Sequence, residues 1–168
     1  MHSSFAVRSV SEDDWRQVRS LRLEMLADTP IAYGETLETA LRHQEPEWRL
    51  RGRRGTDRSS ASFAAIEVAS GRWIGTMGGY LPTGGEPLLV GVYVAPDFRG
   101  AAAGVADLLL DAVEAWADGY GEELFLHVHE DNRRAVRFYE KRGFVDTGRR
   151  LAYELEPGGR EVEMRKQL

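Results

Sequence analysis

Hydrophobic positions along the chain change their period several times, and each change marks a structural element. Phe5, Val7 and Val10 predict a short N-terminal strand, and Ser11 with Asp14 three places on makes a helix start. Trp15, Val18, Leu21, Met25 and Leu26 recur near helical spacing, which predicts an amphipathic helix ending around Ala27, ahead of Pro30. Residues 33–36 read as a loop and residues 37–50 as a second helix, with Pro46 as its breaking point. From Ser62 the period shortens. Residues 63–69, 73–80 and 88–94 are β-branched and aromatic runs separated by Ser70-Gly71 and by the turn residues 82–85, the pattern of three successive antiparallel strands.

Helical spacing then returns with Val105, Leu108, Leu109, Ala112, Val113 and Trp116, acids on the opposite side, and Gly119 as a stop. Leu124, Leu126 and Val128 alternate with Phe125, His127 and His129 as a strand. Asn132 caps a helix carrying Ala135, Val136, Phe138 and Tyr139, Gly143 closes it, and two strands near 144–154 and 161–166 finish the chain. The order β-α-α-β-β-β-α-β-α-β-β predicts an α/β fold with a mixed, mostly antiparallel sheet flanked by helices. The strand ending at Val94, the helix after Gly104 and the strand from Leu124 form a crossover unit, so those two strands are expected to be parallel. Ligands of such sheets bind beyond the carboxyl ends of parallel strands, which directs attention to residues 95–104 and 130–139.

Composition narrows the function classes. At 168 residues, with 42% hydrophobic and 29% charged residues, the chain is expected to be one domain over 1–168. It has no cysteine, which excludes disulfides, thiolate metal sites and cysteine nucleophiles. No apolar run approaches the roughly 18 residues of a membrane span, and no signal-peptide pattern opens the chain, so a cytoplasmic protein away from membranes is expected. A net charge of −5 argues against a nucleic-acid partner. Arg49, Arg51, Arg53, Arg54 and Arg58, spaced by Gly52 and Gly55, read as a mobile solvated loop, with contact to an anionic ligand or nucleic acid as the rival reading. His127 and His129 share a strand face without a third ligand, so no metal site is expected.

The stretch Val94-Ala95-Pro96-Asp97-Phe98-Arg99-Gly100-Ala101-Ala102-Ala103-Gly104 leaves a strand and enters a helix through small residues. Unpaired N–H groups at a helix start, with the helix dipole behind them, suit a pyrophosphate; a plain tight turn has the same composition. Neither G-x-x-x-x-G-K-[ST] nor G-x-G-x-x-G occurs, so nucleoside-triphosphate and dinucleotide loops are unsupported.

Val94-x-Pro96-x-x-Arg99-Gly100, the small-residue loop, Leu108-Leu109, Leu124-x-Leu126-x-Val128 and Asn132-x-x-Ala135-x-x-Phe138-Tyr139-x-x-x-Gly143-Phe144 together resemble the GNAT superfamily of acyl-CoA-dependent N-acyltransferases. The resemblance is strongest over residues 73–145 and implies the GNAT fold, with acetyl-CoA as co-substrate. Its site would comprise Val92, Tyr93 and Val94 along the pantetheine arm, and Arg99, Gly100, Ala101, Ala102, Ala103, Gly104 and Val105 around the pyrophosphate. Asn132, Ala135 and Tyr139 would complete it. The family loop usually reads Arg or Gln, two residues, Gly, one residue, Gly or Ala; from Arg99 this chain has Ala102 at the middle position, where a methyl group restricts φ. A second register, 101–106, restores glycine there but loses the arginine.

Tyr139 is the expected catalytic acid, returning a proton to the departing thiolate, although a core tyrosine has the same spacing. Backbone N–H groups around residues 92–94 would polarise the thioester carbonyl. The acceptor amine must lose a proton; Glu86, His127, His129 and Glu130 are candidates, Glu86 foremost, beside a water chain with no single base. Tyr33 and Thr36, with Glu38 and Trp48 near them, are candidates for the acceptor pocket. The expected function is acetyl transfer to a primary amine by direct attack in a ternary complex, with a homodimer implied by the resemblance. A non-catalytic acyl-CoA sensor is the alternative.

Overall fold

The computed structural model describes residues 4–100 and 102–168. Strand β1 (Phe5–Ser9) leads through a short turn into helix α1 (Trp15–Asp28). The turn is a capping box in which the Asp14 carboxylate accepts from the Ser11 N–H at 2.8 Å. Two short helices follow, α2 (Leu37–Arg42) and α3 (Glu45–Arg53), in place of one broken helix. Pro46 lies in the first turn of α3, where its missing N–H costs nothing, so it opens a helix and interrupts none.

The arginine-rich stretch also differs from the loop expected of it. Arg49, Arg51 and Arg53 belong to α3, and Arg49 and Arg51 pair with Glu45 and Glu47 one turn earlier. Its glycines serve contact. A Cβ on Gly52 would lie 2.6 Å from the Ser11 carbonyl oxygen, and one on Gly55 2.0 Å from that of Val10, so α3 and its exit lie directly on the β1–α1 connection.

The rest follows the expected order: β2 (Ser60–Glu67), β3 (Trp73–Tyr80), β4 (Leu88–Val94), α4 (Val105–Asp118), β5 (Glu123–His129), α5 (Arg133–Lys141), β6 (Val145–Ala152) and β7 (Arg160–Gln167). The seven strands form one sheet in the order β1-β2-β3-β4-β5-β7-β6, and β4 with β5 is its parallel pair. Along β3 the faces alternate. Gly75 and Gly79 point at α4, where added methyls would strike Leu109 and Trp116, while Thr76, Gly78 and Tyr80 look into a cleft beneath α1. The main core therefore lies between the sheet and its two helices, with Ile74, Met77, Leu109, Leu110, Val113 and Leu124 fully buried. A smaller core of Leu26, Ala40 and Trp48 ties α1, α2 and α3 together.

One irregularity interrupts the sheet. Between Thr76↔Tyr93 and Gly78↔Val90, β4 carries one residue more than β3, and Gly91 takes up the bulge at φ +61°. Among the described residues the β4–β5 ladder covers Leu88↔Phe125 and Leu89↔Leu126, and beyond the bulge the strands part.

Candidate active site

The parting of β4 and β5 opens a slot through the sheet. On the α4–α5 face it leads into a cleft of about 520 Å³ bounded by β4, the loop after it, the start of α4 and helix α5. On the α1 face it leads into a second cleft of about 920 Å³, roofed by α1 and α3. The two share Ala32, Tyr33, Leu89, Val90, Gly91 and His127, so the slot joins the two faces of the sheet.

Strand alternation decides which backbone groups line it. The Ala95 N–H donates to Ile74 of β3 at 2.7 Å, so Tyr93 and Ala95 face β3 while Val92 and Val94 face the slot. Both slot-facing carbonyls are already taken. Tyr33 donates its hydroxyl to Val92 O at 2.8 Å, and Arg99 donates Nε to Val94 O at 2.7 Å. What Val92 and Val94 turn toward the slot besides those carbonyls is their N–H groups, which alternation directs away from β3.

The loop from Arg99 to Gly104 carries its left-handed turns on Gly100, at φ +105°, and Gly104, at φ +74°. Among the described residues every positive φ falls on a glycine, so the missing glycine at Ala102 is not one of the loop's left-handed positions; Ala101 lies outside the described residues. Gly104 caps α4, and the Leu108 N–H bonds back to Gly104 O at 3.1 Å, leaving the amides of Val105, Ala106 and Asp107 for a ligand. Asp107 would oppose an anion there, but Arg142 holds its carboxylate at 3.0 Å. Arg99 itself points inward, bound to Val94 O and Asp28 and stacked over Tyr93, so its guanidinium shapes the loop. The Tyr93 hydroxyl is buried without a hydrogen-bond partner among the described residues, and burial pushes it up to about 12.

Tyr139 reaches the cleft from α5, packed edge-on against Phe144, and is 5% exposed. Burial, with Tyr33 nearby, pushes its hydroxyl well above the ordinary tyrosine range, which keeps the proton on the oxygen. Asn132 caps α5, its Oδ1 accepting from the Ala135 N–H at 3.4 Å, and both residues line the same cleft. Arg134, Arg137 and Lys141 also line it; their i, i+3, i+7 spacing on α5 was present in the sequence but unread.

Other expectations fare differently. Glu86 is exposed ahead of Pro87, against Gly121 at the end of β4 far from Val92 and Val94, and lines neither cleft. Thr36 is the N-cap of α2, accepting from the Thr39 N–H at 3.1 Å, and Trp48 is core. Glu38 pairs with Arg42 on the surface, and Glu130 faces Arg160 at 3.4 Å. Of that group only Tyr33 reaches the clefts. The two histidines part company. His129 spends both nitrogens, Nδ1 accepting from the Asp131 N–H at 3.1 Å and Nε2 donating to Glu156 at 2.9 Å. His127 stands in the slot with Nε2 at 3.2 Å from the buried Glu163 carboxylate.

A sequence model of the Acetyltransferase (GNAT) family matches residues 19–144. The chain belongs to the GNAT acetyltransferase family. This GNAT protein has no match among curated proteins, but its fold recurs in solved structures. A GCN5-related N-acetyltransferase from Kribbella flavida aligns with TM-score 0.75 and 19% identity over 98% of both chains. The PaiA N-acetyltransferase from Thermoplasma acidophilum, in complex with coenzyme A, aligns with TM-score 0.70 and 18% identity over 98% of this chain and 99% of that one. A chimera of the Vibrio cholerae spermidine N-acetyltransferase SpeG and hSSAT gives 0.73 and 19% over 98% and 96%. At these identities the neighbours establish the mixed sheet with its parallel pair, the fold anticipated for this GNAT chain. Among its described residues no cluster of metal-ligating side chains occurs, and no helix is long and apolar enough to cross a membrane.

Proposed function

We propose that the protein transfers acetyl from acetyl-CoA to a primary amine in a ternary complex. The observation that carries this is the slot: Val92 and Val94 of β4, the buried Tyr139 phenol and the carboxylate-held His127 imidazole line one cleft, and His127 also lines the cleft on the opposite face. The donor cleft suits coenzyme A. Free amides after Gly104 and the cations Arg134, Arg137 and Lys141 answer its phosphates, and the open β4 edge answers its amide-bearing arm.

Each reacting proton then has an address. His127, donating Nε2–H to Glu163, presents Nδ1 as the base that takes the amine's proton. The Val92 and Val94 N–H groups stabilise the oxyanion as the nitrogen–carbon bond forms. As the carbon–sulfur bond breaks, Tyr139 gives its proton to the thiolate. His127 replaces Glu86 in this scheme because it is the candidate base that both lies in the slot and keeps a nitrogen uncommitted.

Calorimetry with acetyl-CoA, followed by thiol release with simple amines, tests the reading. Micromolar binding with amine-dependent turnover is expected, and Tyr139→Phe should lower kcat by about 10²–10⁴-fold while leaving coenzyme A affinity unchanged. Absence of binding overturns the proposal. Binding without turnover for any amine would make the protein an acyl-CoA sensor.

A further inference from the structure

The acceptor cleft on the α1 face is electrically two-ended. At the slot end His127 is joined by Glu154 and Glu161, from the β6–β7 side of the sheet. The other end, beneath α1 and α3, is lined by Arg22, Arg51 and Arg54.

These three arginines are not equivalent. Arg51 is fully committed, with Nε on Glu47 at 2.9 Å and its two terminal nitrogens on Glu35 at 3.0 and 2.7 Å. Arg22 gives only its Nε to Glu35, at 2.9 Å, and its terminal nitrogens have no partner among the described residues. Arg54 has neither an ion pair nor a side-chain hydrogen bond among the described residues; its backbone carbonyl, bound by the buried Ser60 hydroxyl at 2.7 Å, fixes it at the start of β2. The cations Arg22 and Arg51 are balanced by Glu35 and Glu47, which leaves Arg54 as an uncompensated positive charge on the wall.

Resting on the acetyltransferase reading above, we propose that the acceptor is an amine whose far end carries a carboxylate, the amine held by Glu161, Glu154 and His127 at the slot and the carboxylate by Arg54 and Arg22. The sheet sets the span. Ser60 pairs with Tyr80, Tyr80 with Leu88 and Leu88 with Phe125, so Arg54 begins three strand spacings, about 14 Å, from β5. The arginine arm covers part of that distance. An α-amino acid is too short, and an ω-amino acid of about four to eight carbons, or a short peptide presenting its amine and its carboxylate at that separation, spans the rest. The arginine-rich stretch thus takes up its second reading, contact with an anion, through Arg54 and not through the whole run.

The test measures thiol release by the full chain with acetyl-CoA and three matched series: ω-amino acids from 4-aminobutanoate to 8-aminooctanoate, alkylamines and α,ω-diamines of the same lengths. At least one acid should show kcat/KM about tenfold or more above its alkylamine, with the diamine lowest, as a charged hydrogen bond to arginine implies. Arg54→Gln should cost that acid about tenfold, mostly in KM, and leave the alkylamine within about twofold. Alkylamines or diamines matching the acids at every length would overturn the proposal, as would an equal loss for acid and alkylamine in Arg54→Gln. Failure to acetylate any acid while acetyl-CoA binds by calorimetry overturns it as well. Failure of acetyl-CoA to bind strikes the acetyltransferase reading itself, so the two failures are told apart.

Discussion

Glu35 shows how one carboxylate organises the acceptor side without entering it. Burial alone would raise its carboxyl, but hydrogen bonds from Arg51 and Arg22 outweigh burial and hold it at about 2, against an ordinary 4.5. The folded protein therefore binds this proton less readily than the unfolded chain. Its contribution is complete above about pH 4.5 and is lost as the pH falls from there toward 2. Glu35→Gln is expected to lower unfolding free energy by roughly 2–3 kcal/mol at pH 6, with the gap to wild type narrowing by pH 3. Urea midpoints at the two pH values check it; a gap that stays constant would show that Glu35 acts by packing alone. Glu35 lies in the loop that the sequence predicts, but ties between residues distant in sequence, here Arg22, Glu35 and Arg51, leave no periodic trace, so its role does not show in the pattern.

At the scale of elements, alternation and helical spacing were enough to place the meander, the crossover unit and both flanking helices, because those patterns are the burial patterns themselves. What escaped was local geometry that a pattern does not encode. Gly52 and Gly55 read as flexible because glycine favours loops, yet here they let α3 touch the β1–α1 connection. The Gly91 bulge lies next to Val92 and Val94, while Glu86 lies beyond the opposite end of β4, against Gly121. Trp48, a candidate for the acceptor pocket from sequence, is 1% exposed and fastens three helices into one unit. Trp48→Ala should cost about 3–5 kcal/mol, a fall in Tm on the order of 10 °C for a chain of this size. A drop below about 3 °C in a thermal melt would mean that the small core repacks around the cavity.

Across the whole molecule, the two clefts, proposed for donor and acceptor, lie on opposite faces of one sheet and communicate through a gap between two strands. Two doors that open in opposite directions have consequences for traffic. On the proposed reading neither reactant stands in the other's way, so neither has to arrive first, and each product is expected to leave by the face its precursor entered. Coenzyme A should accordingly compete with acetyl-CoA but inhibit non-competitively against the amine, and the acetylated product should show the converse pattern. Steady-state inhibition kinetics would reveal it; coenzyme A competing with the amine would mean that the two paths overlap beyond the slot. A molecule built this way can also change the lining of one cleft without disturbing the other, so under the proposed function its choice of acceptor is free to drift without loss of its donor.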